Sequence, residues 1–126
     1  MRNLRALVVD DSSLNRRTIA AMLEKIEGVS EVRLANDGAD ALRVVEASPP
    51  DFITLDLEMP RLDGFEFLRQ QRESETNGHV PVIVLTAKVL TDEESRELEA
   101  ATIGVLSKHA ANERTVAEEV RSILQG

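Results

Sequence analysis

Apolar residues follow two rhythms that alternate along this chain. Short aliphatic or β-branched runs stand at residues 4–9, 32–35, 52–55, 80–85 and 103–106. Runs of this length, bounded by polar or turn residues, predict β-strands. Between them apolar positions recur every three to four residues, the period of one helical face. Ile19, Met22, Leu23 and Ile26 mark a first helix, with Ser12 or Ser13 to cap its start and Gly28 as a stop. A second spans about residues 38–47, and a third follows Gly64 with Phe65 and Leu68 on one face. Asp63-Gly64 reads as turn chemistry and helix entry. Thr91 and Glu94 stand at capping-box spacing and open a fourth helix. Val116, Val120, Ile123 and Leu124 trace a fifth. A polar loop is expected over residues 73–79.

Strands separated by helices make βαβ units, which force parallel pairing and right-handed crossovers. Residues 82–85, Val-Ile-Val-Leu, suit a central strand buried on both faces. Pro81 stands at a strand start, where a missing N–H costs little. The pattern predicts an α/β protein: one doubly wound (βα)5 domain over residues 1–126, without linker or repeat.

In open α/β sheets, sites form beyond the carboxyl ends of the strands. Asp10 and Asp11 follow the first predicted strand, Asp56 the third, Thr86 the fourth and Lys108 the fifth. Three carboxylates brought together repel and need a cation. Mg2+ suits them, a hard ion that takes one or two carboxylates alongside phosphate oxygens. No His or Cys stands at a zinc-ligand spacing. A lysine supplies a point charge for phosphate and a threonine a hydroxyl. Such a set suits phosphoryl transfer, and a carboxylate can itself be the nucleophile. Rival phosphate sites are missing from the sequence: it has neither G-x-x-x-x-G-K-[ST] nor G-x-G-x-x-G. His79 and His109 lack the serine context of a hydrolase triad.

Composition narrows the setting. The absence of cysteine excludes disulfides and thiolate catalysis and fits a reducing compartment. A net charge of −8 argues against general affinity for nucleic acid or anionic membrane. No apolar run approaches the roughly 20 residues that span a bilayer. A cytoplasmic domain is expected.

The residues resemble those of response-regulator receiver domains over essentially the whole chain. "DLEMPRLDGFEFL" at 56–68 matches the family's D-x-x-M-P-x-x-D-G. "VVDDSSLNRR" matches its acidic pair and first helix, "VIVLTA" its switch hydroxyl and "GVLSK" its lysine. The resemblance implies a flavodoxin-like sheet of order 2-1-3-4-5, with Asp56 as phosphoacceptor. It implies that Asp11, Asp56 and the backbone carbonyl of Glu58 bind Mg2+, for which Mn2+ could substitute. Asp10 would act through water or more weakly, and Thr86 and Lys108 would hold phosphoryl oxygens. The donor would be a histidine kinase, a phosphotransfer domain or a small acyl phosphate, and phosphorylation would switch a partner-binding face. Such a domain assists its own phosphorylation rather than acting as an enzyme. The output partner is unassigned; no effector segment follows Gly126, which suggests a stand-alone receiver or a piece of a longer protein.

Three departures from the family pattern carry expectations. His109 replaces the usual proline after the lysine. Because a non-proline cis bond costs about 2.5–4 kcal/mol, the Lys108–His109 bond should be trans. Val105 stands where the family often has a switch aromatic, and the chain has no Tyr or Trp. Glu58 and Lys88 could pair across the site mouth and slow water's entry. Two alternatives stay open: a pseudo-receiver that keeps the fold without the chemistry, and an aspartyl-nucleophile phosphohydrolase. The second lacks its D-x-D signature, since Asp56 is followed by Leu57 and Glu58.

Overall fold

In the computed structural model, residues 3–75 and 77–125 are described, without the side chains of Leu124 and Gln125. The strands are β1 (Leu4–Val9), β2 (Val29–Ala35), β3 (Phe52–Leu55), β4 (Val82–Thr86) and β5 (Gly104–Ser107). The helices are α1 (Ser13–Glu24), α2 (Gly38–Ala47), α3 (Gly64–Glu73), α4 (Asp92–Ala101) and α5 (Glu113–Gln125). All pairings are parallel and the sheet order is β2-β1-β3-β4-β5, the flavodoxin-like order expected.

Side-chain alternation along each strand splits the core in two. Leu7, Val9, Ile53, Leu55, Val82 and Val84 point to one face, where α2, α3 and α4 cover them with Val45, Phe67 and Leu98. Leu4, Ala6, Val8, Phe52, Ile83 and Leu85 point to the other, where α1 and α5 bring Ile19, Leu23, Val116 and Val120. Leu124, expected on the inner face of α5, lies outside the described side chains.

Local signals set the helix starts. Ser12, rather than Ser13, caps α1 by accepting from the Asn15 N–H. Asp37 caps α2, Asp63 caps α3, and Thr91 with Glu94 forms the full capping box of α4. Helix α1 ends at Glu24, before the expected stop. Gly28 instead takes φ 101° in the turn that leads to β2, a conformation glycine adopts without strain. Strand β2 begins three residues earlier than its apolar run, because Ser30 and Glu31 are exposed at the sheet edge. Strand β4 begins at Val82, past Pro81, and reaches Thr86.

Candidate functional site

The backbone ladder runs one residue past β1, β3 and β5 and fixes the groups at the carboxyl end of the sheet. Asp10 N–H donates to the Ala35 carbonyl at 3.2 Å, Asp56 N–H to Val9 at 3.0 Å, and Lys108 N–H to Thr86 at 2.8 Å. Gly64, the first residue of α3, closes in behind Asp56: its N–H donates to the Leu57 carbonyl at 3.1 Å. A Cβ there would lie 2.6 Å from Leu57 Cα and 2.7 Å from the Asp56 carbonyl, so only glycine permits this approach.

Asp10, Asp11 and Asp56 each offer a carboxylate oxygen within 4.8 Å of the others. Asp10 and Asp56 are buried, while Asp11 is exposed. Lys108 Nζ reaches between the buried pair, 2.8 Å from Asp10 Oδ2 and 3.3 Å from Asp56 Oδ2. Asp10 Oδ1 also accepts from the Ser12 N–H at 2.9 Å, and Asp56 Oδ1 from the Glu58 N–H at 3.3 Å. Burial pushes the Asp56 carboxyl above the usual carboxylate range, against the opposing pull of Lys108 and of the Glu58 N–H. Burial also opposes the charge on Lys108, but the bond and attraction to Asp10, with help from Asp56, leave it raised and firmly protonated. Three carboxylates against one ammonium leave room for a further cation, and an all-oxygen donor set suits Mg2+ rather than zinc.

Thr86 is buried, and its hydroxyl accepts from the Lys88 N–H at 3.1 Å. No cis peptide bond occurs among the described residues, so the Lys108–His109 bond is trans, as expected. The pair expected between Glu58 and Lys88 does not form. Lys88 Nζ instead lies 3.4 Å from Glu94 Oε2, and Glu58 is exposed with no ion pair among the described residues. The first turn of α4 explains this: its capping box fixes the Glu94 carboxylate close to the loop that carries Lys88. Sequence reasoning also missed Arg16, whose Nη1 donates to the Asp10 backbone carbonyl at 2.7 Å. The only sequence signal for it was a cation one helical turn beyond an acidic loop.

Known proteins share this arrangement of elements. Residues 6–120 match the family model described as the response regulator receiver domain. The chain is 37% identical over 123 residues to the protein-glutamate methylesterase/protein-glutamine glutaminase 3 of Geobacter sulfurreducens, covering 98% of this chain and 32% of that protein. It is 39% identical over 122 residues to the response regulator MprA of Mycobacterium leprae, covering 97% of this chain and 51% of MprA. The chain thus spans between a third and a half of the length of these relatives. Among solved structures, the chemotaxis protein CheY4 of Vibrio cholerae superimposes with a TM-score of 0.84 at 30% identity, covering 96% of this chain and 98% of that one. The receiver domain of the histidine kinase CKI1 from Arabidopsis thaliana, complexed with Mg2+ and BeF3−, gives a TM-score of 0.80 at 32% identity, covering 99% and 92%. The chain belongs to the response regulator receiver domains of two-component signalling.

Proposed function

We propose that Asp56 accepts a phosphoryl group from a phosphohistidine of a histidine kinase or phosphotransfer domain, or from a small acyl phosphate, in a Mg2+-dependent reaction. The observation that carries this reading is the meeting of three carboxylates within 4.8 Å, with Lys108 bridging the two that are buried. Asp11 and Asp56, with the backbone carbonyl of Glu58, would hold Mg2+, or Mn2+ in its place, and Asp10 would support them from the buried side. The ion would offset charge on the phosphoryl oxygens as they approach an already anionic site.

In the transfer, an Asp56 carboxylate oxygen forms a bond to phosphorus while the phosphorus–nitrogen bond of the donor breaks. The electron pair of the broken bond returns to the imidazole nitrogen, which takes up a proton. Lys108 already stands between Asp10 and Asp56 and needs little rearrangement to face a phosphoryl oxygen. Thr86 would turn its hydroxyl from the Lys88 N–H to the same group, which switches the face around α4 and β5. The setting is a cytoplasmic signalling chain, and the methylesterase relatives suggest an output carried by another segment or partner.

The test is incubation with acetyl phosphate and Mg2+, read by intact mass. A single phosphate adduct, lost in Asp56→Ala and on chelation, supports the proposal. No adduct on the folded protein overturns it in favour of the pseudo-receiver, and repeated turnover of a separate phosphoester overturns it in favour of a hydrolase.

A further inference from the structure

We infer that Arg16 is a positioning residue for metal binding, acting on Asp11 through the peptide that joins it to Asp10; this rests on the function proposed above. Every polar atom of Asp10 is held. Its N–H donates to Ala35, Oδ1 accepts from Ser12, Oδ2 from Lys108, and its carbonyl accepts from Arg16 Nη1 at 2.7 Å. That carbonyl belongs to the Asp10–Asp11 peptide, so the guanidinium fixes the plane from which the Asp11 side chain departs.

Asp11 itself is exposed, and its carboxylate makes no hydrogen bond or ion pair among the described residues. Its direction therefore comes from the backbone alone. Arg16 is well placed to set that backbone. It is half-buried, and its own N–H donates to the Ser12 carbonyl at 2.9 Å in the first turn of α1. The bond to Asp10 thus ties the end of β1 to the start of α1 across the acidic turn, and groups that orient a metal ligand in this way hold much of its affinity.

The sign of the effect separates positioning from charge. Arg16 is a cation beside a cation site, so electrostatics alone predicts that its removal tightens Mg2+ binding. Loss of positioning predicts the reverse. Titration with Mg2+ by calorimetry at fixed ionic strength should show Arg16→Met binding about tenfold more weakly than wild type. Arg16→Lys, which keeps a donor, should recover most of the loss. Arg17→Met removes the same charge from an exposed neighbour and should bind as tightly as wild type or more tightly. Without metal, the Ser12 amide should exchange faster in Arg16→Met. Binding in Arg16→Met that is unchanged or tighter overturns the inference while leaving Asp56 as acceptor. A wild-type protein that binds no Mg2+ overturns the functional proposal instead.

Discussion

Asp56 is a carboxylate held where water scarcely reaches it, beside two others and one ammonium. Its raised proton affinity is chiefly the cost of burial, so the fold stabilises its neutral form. Such a group contributes stability that is full below its unfolded value and is lost as pH rises through the folded one. Asp56→Asn should therefore melt higher than wild type at pH 7 in chelator, and the gap should close as pH falls toward 4, which thermal scans at the two pH values would read. Lys108 has the opposite role. Removing it in Lys108→Met leaves the fully buried Asp10 carboxylate with only the Ser12 N–H as hydrogen-bond partner among the described residues. Urea denaturation in chelator should show a loss of about 3 kcal/mol. The positions of Asp10, Asp56, Thr86 and Lys108 at the carboxyl end of the sheet were legible in the sequence, because each closes or follows a strand whose apolar run ends abruptly. The partners of Arg16 and Lys88 were not: a bond to a backbone carbonyl leaves no pattern, and Lys88 found a carboxylate on its own side of the mouth.

Among the elements, α3 meets the site by backbone contact, and Gly64 is the point of contact. A methyl group there must move α3 or the Asp56–Leu57 backbone, because its nearest neighbours are backbone atoms rather than yielding side chains. Gly64→Ala should cost about 2 kcal/mol, and it should also slow phosphate uptake at Asp56. Urea denaturation and adduct formation, measured on the same samples, check both effects. The element pattern explains which parts of the fold could be read. Strands β1 and β3 match their apolar runs end to end, since both are buried on two faces. Strand β2 was read short, because an edge strand keeps polar residues in its ladder and mixes the two rhythms. Strand β5 was read one residue early, from Ile103 to Leu106, because Ile103 is apolar but exposed and precedes the strand itself.

At the scale of the whole molecule, a net charge of −8 and a cluster of three acids make the metal-free protein electrostatically uncomfortable. Mg2+ that binds only the folded state should raise stability by about 2.7 kcal/mol at a hundred times its Kd. A thermal scan with MgCl2 against NaCl of equal ionic strength reads this, and the gain should be reduced when Asp11 is changed to Ala. The sheet order also places the cluster at the point where the connections diverge, with β1 between β2 and β3. Asp10 and Lys108, bonded at 2.8 Å, stand 98 residues apart in the chain. No fragment shorter than that span holds both. The proposed chemistry would thereby report on completed folding: a chain cut before Lys108 has Asp56 but not the ammonium beside it, and would stay silent instead of sending a false message.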